Sequence, residues 1–286
     1  MKKSLYIYGL VLIVSICSTS ISFAGLSNLE DGLISAWTFD DGSAGDSFGN
    51  NDGKFMNGAK AVSDGKVGKA LMLDNPKNPD SGKNTGQYVE IPSNVSLEHA
   101  DGIFSVSFWA YLKEGGGRDH SAIFFKGTKI GWGPNFMVRI ATTSDSNLTW
   151  GSCWEGSEGW FATDNVTKAG EWFHGAYVAD GKTATAYVTS TVTKGTVIPE
   201  SGQNNPRDLS TPLLTFPDRP IEIGVGRAKG GNIGDDFWIN GMVDEVYMWN
   251  RALTLNEVKS LAAGKTVTAV DSRGKSTTTW AKIKNF

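Results

Sequence analysis

Cysteine is nearly absent from this 286-residue chain: it has two, Cys17 and Cys153. Cys17 lies in an N-terminal segment that reads as cleaved, so no intrachain disulfide staples the remainder, and Cys153 reads as a buried bystander. Histidine is scarce too, at three residues, and no His-Glu-x-x-His, Gly-x-Ser-x-Gly or phosphate-cradling glycine pattern occurs. The longest apolar run, Leu5 to Ile16, falls short of the roughly 20 residues a membrane-spanning helix needs. Neither charge sign is in excess: 27 basic against 30 acidic residues give a net charge of −3. That balance argues against nucleic acid or an anionic membrane surface as a partner. Helical periodicity is missing until Thr254, where Thr254 and Glu257 form a capping-box pair and Gly264 supplies a stop.

Lys2 and Lys3, the apolar run and Ser22-Phe23-Ala24 together read as a signal peptide over residues 1–24, with cleavage before Gly25 and export of the remainder. No membrane span is expected after that cleavage. Residues 25–264 read as one domain and 265–286 as a tail, either a final strand or an extension. Forty per cent hydrophobic residues supply a core, and 35 glycines with ten tryptophans and fourteen phenylalanines point to short strands joined by tight turns. Phe104 to Leu112 alternates with period two and carries aromatics on both faces, as expected for a strand in the middle of a sandwich. Trp172 to Val178 and Ala184 to Thr189 flank Asp180-Gly181, which suits a type I′ hairpin turn. Pro220 to Val225 and Ile239 to Trp249 read as further strands. Asp74 to Gly86 and Lys194 to Pro220 read as long surface loops.

A series of segments then carries a family resemblance. Gly32-Leu-Ile-Ser-Ala-Trp-Thr-Phe-Asp40 is followed by Asp46-Ser-Phe-Gly-Asn-Asn-Asp-Gly53 and Gly65-Lys-Val-Gly-Lys-Ala-Leu71. Next come Tyr88-Val-Glu-Ile-Pro92, the strand with Trp109, Glu171-Trp-Phe-His174, and Asn240 to Leu253. In that order, from Gly32 to Gly264, the chain resembles the laminin-G-like domains of the concanavalin A-like superfamily. The resemblance implies an all-β, two-sheet antiparallel jelly-roll β-sandwich with one short C-terminal helix and with its N- and C-terminal strands adjacent. It also matches His174 to a core position.

Two site expectations follow. The turn at Asp46, Gly49, Asn50, Asn51 and Asp52 is dense in carboxylate and amide oxygens, the hard ligands calcium prefers. The resemblance implies that this turn meets the C-terminal strand, so that Asp46, Asn50, Asn51 and Asp244 would hold a structural calcium ion. The turn is one residue shorter than the form associated with the family. The second expectation is a glycan platform, because Trp150, Trp154, Glu155 and Trp160 cluster and sugar faces stack on aromatic rings while hydroxyls bond carboxylates. Catalysis is not expected. Glu155 and Glu158 are three apart, which in a strand sets them on opposite faces, and Asp244-Glu245 fails in the same way. The expected function is therefore non-catalytic binding of an extracellular polysaccharide or glycoconjugate, with adhesion to a cell-surface protein as the alternative and glycoside hydrolysis third.

Overall fold

A computed structural model of the chain describes residues 28–75, 86–113, 121–127, 135–141, 147–153, 160–163, 167–194, 205–209, 215–226 and 237–267. Its first strands are β1 (Leu33–Trp37), β2 (Lys54–Met56), β3 (Lys60–Val62), β4 (Ala70–Leu73), β5 (Tyr88–Ile91) and β6 (Ile103–Leu112). Then come β7 (Ser121–Gly127), β8 (Asn135–Ala141), β9 (Asn147–Cys153), β10 (Trp160–Thr163), β11 (Trp172–Asp180) and β12 (Thr183–Thr189). The last are β13 (Arg207–Asp208), β14 (Ile221–Ile223), β15 (Val225–Gly226), β16 (Phe237–Trp238) and β17 (Gly241–Trp249), followed by the helix α1 (Leu255–Ala262).

These strands build the expected sandwich. One sheet runs β13-β12-β11-β6-β17-β4-β3, with β1 also paired to β17; we call it the back sheet. The other, the front sheet, runs β10-β9-β8-β7-β14-β5-β2. Every ladder is antiparallel, and β1 against β17 makes the N- and C-terminal strands neighbours. Phe108, Ala110, Phe173 and Val243 of the back sheet meet Val89, Ile91, Phe124, Val138, Ile221 and Ile223 of the front sheet in one core. Period-two alternation explains this: those residues share one face of each strand, and burying them removes the apolar surface from water.

The middle of the back sheet is buried on both faces, as the aromatics on both sides of β6 predict. A second apolar cluster covers its outer face, where Ala176, Val178, Tyr247 and Trp249 pack against Leu253, Val258 and Leu261 around α1. Leu29 and Val267 join that cluster, so the packed chain runs past Gly264 into what reads as tail. The capping box forms as expected, with Thr254 Oγ1 accepting from Glu257 N and Glu257 Oε2 accepting from Thr254 N.

Two local expectations are corrected. Asp180 is the last residue of β11, not a turn centre. The two loop residues are Gly181 and Lys182, and Gly181, at φ 86°, takes the first central position that a type II′ turn reserves for glycine. The cause is Asp180 itself, whose carboxylate accepts from Lys182 N and Thr183 N and tightens the turn. The strand expected over Pro220 to Val225 breaks at Gly224 (φ 96°), and β15 leaves the front sheet to pair with β16. Much of the two predicted loops lies outside the described residues. Within the second, Asn205 is buried and bonds both the N–H and the C=O of Ala186, and β13 pairs with β12.

Candidate functional site

The outer face of the front sheet is assembled from strands distant in sequence. Ile221 and Ile223 of β14, Val89 and Ile91 of β5, and Phe124 of β7 all face the core. Glu222, Glu90 and Phe125 between them therefore point outward. Register sets Lys54, Glu90, Glu222 and Phe125 side by side in one row. The same row continues through the backbone positions of Met137, Gly151 and Trp160. Directly opposed residues on neighbouring strands have Cβ atoms roughly 4.5–5.5 Å apart, so Glu90 and Glu222 bring two carboxyl groups together on this face. Lys54 is exposed, Glu90 half-buried and Glu222 buried.

Aromatic residues border the pair. Tyr88, two residues from Glu90 on the same face, directs its hydroxyl at Glu90 Oε2 at 3.5 Å. Its ring packs on Trp238, with centroids 5.8 Å apart. The β15–β16 hairpin thus folds over part of the sheet: Val225 and Trp238 pack with Tyr88, and Phe237 packs on Ala122 and Phe125. Gly86 permits this closeness, since a Cβ there would lie 2.3 Å from the Trp238 ring.

Of the predicted glycan contacts, Trp154 and Glu155 lie outside the described residues. Trp150 and Trp160 stand in β9 and β10, in alternate rows: Trp150 pairs with Val138 and Phe161, Trp160 with Gly151. Their backbone positions do not fall in a single row. Sequence reasoning missed Glu90 and Glu222 because it sought carboxylates within one strand, whereas these lie on different strands. Their outward position between core-facing apolar neighbours was the available signal.

The predicted calcium ligands divide into two groups. Asp46 Oδ1 accepts from the backbone N–H of Ala36 (2.9 Å), Phe48 (3.1 Å) and Gly49 (2.8 Å), and Oδ2 accepts from Asn51 N–H (3.0 Å). Asn51 donates to Ser35 Oγ, accepts from Ser96 Oγ, and offers its backbone carbonyl to Trp37 Nε1. Asn50 is exposed. Asp244 is engaged elsewhere, by Val67 N–H and Glu245 N–H, and no hydrogen bond joins it to the Asp46 turn. Among the described residues no three His, Cys, Asp or Glu side chains come together as a metal site. The two carboxylates meant for the metal, Asp46 and Asp244, already accept backbone N–H groups, and a carboxylate has about four acceptor positions to give.

His174 is fully buried, and its Nε2 lies 2.8 Å from Ser107 Oγ. Burial pushes its pKa down to about 3, so the ring is neutral at ordinary pH. No carboxylate orients it, and its Nδ1 has no hydrogen-bond partner. The arrangement suits a core residue more than a general base. Asp244 and Glu245 follow one another in a bulge of β17, where Glu245 adopts a φ of 50°. Burial pushes both carboxyls up to about 7, and Glu245 accepts a hydrogen bond from Tyr247.

Comparison with known proteins bears on the fold. Three solved structures share the fold: the binding domain of Paraclostridial Mosquitocidal Protein 1 (15% identity, TM-score 0.53), that of Botulinum Neurotoxin DC in complex with SialylT (12%, 0.57), and that of the same toxin in complex with rat synaptotagmin II (13%, 0.56). Each alignment covers 82% of this chain and 52% of the other, so the chain spans about half the length of these binding domains. No curated protein matches the sequence. The family model Laminin_G_3 matches residues 82–259, more than half of the chain. Its sandwich, strand adjacency and family match together make the chain a member of the concanavalin A-like lectin/glucanase superfamily.

Proposed function

We propose that the chain is a secreted, non-catalytic carbohydrate-binding sandwich whose glycan site is the outer face of the front sheet. The observation that carries this reading is the row Lys54–Glu90–Glu222–Phe125, which sets hydrogen-bonding side chains beside Tyr88 and the β15–β16 hairpin. Carboxylates accept sugar hydroxyls, and the half-buried Glu90 beside the exposed Lys54 offers such a group, while the buried Tyr88, Trp238 and Phe125 wall the row. Superfamily membership and the complex of a similar fold with SialylT support the same reading. The complex of that fold with synaptotagmin II supports the alternative, adhesion to a cell-surface protein. Calcium at Asp46, Asn50, Asn51 and Asp244 is left out of the proposal, because the Asp46 and Asp244 carboxylates accept backbone N–H groups of the chain. Export rests on residues 1–24; among the described residues no helix is long and apolar enough to cross a membrane.

The test is a glycan array probed with the exported chain and with Glu90→Ala and Glu222→Gln. Binding to a coherent set of sugars that both substitutions weaken supports the site. Silence across the array, or binding that both variants leave untouched, overturns it.

One observation favours a second reading, glycoside hydrolysis. Retaining glycosidases bring two carboxyl groups together, and register sets Glu90 directly opposite Glu222 on one face. Reducing-end release from polysaccharides that the array identifies, abolished in Glu222→Gln, would replace binding by catalysis. The binding reading expects no release from either protein.

A further inference from the structure

The back sheet carries an aromatic row of its own, away from the face assigned above. Ala110, Leu112, Phe173, Leu71, Leu73 and Val243 point into the core, so their neighbours in sequence point out. Register sets Trp172 opposite Tyr111, Tyr111 opposite Met242, Met242 opposite Met72, and Met72 opposite Lys60. This row crosses five strands, roughly 19 Å at the usual strand spacing of about 4.8 Å. Trp172, Tyr111 and Met72 keep part of their surface in solvent. The Trp172 and Tyr111 rings lie 5.7 Å apart and tilted by 55°. In the adjacent row Trp109 stands opposite His174 and Asp244, and Lys66 Nζ lies 4.3 Å from the centre of its indole ring.

The charges on this side are unequal. Lys113 is paired with Asp74, and Lys168 with Glu171. Lys60 and Lys66 are exposed and make no ion pair among the described residues. Of the nearby acids, Asp244 accepts from Val67 N–H and Glu245 N–H, Glu245 accepts from Tyr247, and the exposed Asp40 accepts from Lys69 N–H. The face therefore offers part of the Trp172, Tyr111 and Met72 surface, with the buried Met242 between them, and two cations without a carboxylate partner among the described residues on its Lys60 and Lys66 side. Aromatic surface suits the apolar side of a pyranose, and exposed ammonium groups suit a carboxylate or sulfate on it.

We propose that the outer face of the back sheet is a second saccharide site, which takes an anionic oligosaccharide along the row from Trp172 to Lys60. The site is distinct from the Glu90–Glu222 face and stands or falls separately. Anionic substituents sit against Lys60 and Lys66, and sugar rings lie on Trp172 and Tyr111.

The experiment is a fluorescence and calorimetric titration of the exported chain with a uronic acid tetrasaccharide, its neutral methyl ester and a heparin-derived sulfated tetrasaccharide. Binding of either acid, quenching tryptophan emission and weakening with salt, is expected, and the preferred acid identifies carboxylate or sulfate as the group recognised. The methyl ester is expected to bind about tenfold more weakly, and Trp172→Ala to lose about tenfold, one aromatic contact being of that order. Trp172→Phe, which keeps a ring, restores most of that loss. Lys60→Glu and Lys66→Glu alter exposed side chains, leave the fold intact by circular dichroism, and are expected to abolish the preference for the acid. Glu222→Gln leaves acid binding unchanged, which separates this site from the front sheet. Equal binding of acid and ester, indifference to the two lysine reversals, or loss of acid binding in Glu222→Gln overturns the proposal. Binding of hydrophobic peptides in place of all three saccharides overturns it as well.

Discussion

Replacing Asp46 by alanine asks whether the N-terminal turn is held by hydrogen bonds or by an ion. Of the four backbone donors on the Asp46 carboxylate, those of Ala36 and Asn51 belong to buried residues. Phe48 is exposed and Gly49 half-buried, so water can reach these donors when the acceptor is lost. A buried donor left without an acceptor costs about 1–3 kcal/mol, so two of them put Asp46→Ala at about 2–6 kcal/mol. Asp46→Asn keeps the shape and one acceptor oxygen but turns an amide NH2 toward a backbone N–H, and costs about 1–3 kcal/mol. Urea unfolding followed by tryptophan emission measures both, with the midpoint expected to fall and the slope to hold. Each curve is taken in calcium and in EDTA. An ion held at a hundred times its Kd would contribute about 2.7 kcal/mol to the folded state. The hydrogen-bonded turn predicts that wild-type curves in calcium and EDTA superimpose. A fall of that size in EDTA for the wild type, with none for Asp46→Ala, would refute the reasoning and show that the carboxylate works through a metal.

The remaining predictions follow from single contacts. His174 has a folded pKa of about 3 against an ordinary 6.5, so the unfolded chain binds the extra proton between those values and stability falls as pH is lowered through that window. Between pH 7 and pH 5 the loss from this residue is about 2 kcal/mol, and it shows as a shallower acid slope in His174→Gln than in the wild type. Thr254→Ala removes the capping box of α1 and is expected to cost about 1 kcal/mol, with faster amide exchange along the helix. Gly49→Ala places a Cβ 2.2 Å from the Ile34 carbonyl oxygen, and soluble expression of the variant is expected to collapse. Asn205→Ala leaves the Ala186 N–H and C=O without their side-chain partner and is expected to lower the urea midpoint, the amide N–H accounting for about 1–3 kcal/mol.

The sequence by itself determined the sandwich. Period-two alternation in β6 follows from the pleat and marked its core-facing residues, and the ordered family segments from Gly32 to Gly264 implied the two sheets. The capping box of α1 was legible for the same reason, since a helix start is written in four consecutive residues. The turn after Asp180 was read one residue early, because local propensity does not say which donors the Asp180 carboxylate takes.

The sites were a different matter. Asp46 and Asn51 looked like metal ligands because they are oxygen-rich, and only the folded chain brings Ala36 N–H and Ser96 Oγ against those oxygens. Glu90 and Glu222 are unremarkable single carboxylates in sequence, and Trp172, Tyr111, Met242 and Met72 are separate fragments of four strands. Strand order and register set Glu90 opposite Glu222 and place the other four in one row. Pairing partners are chosen by which apolar faces pack together across the whole domain, a long-range balance that no local stretch encodes. Local chemistry therefore decided the elements, and tertiary packing decided which side chains could act together.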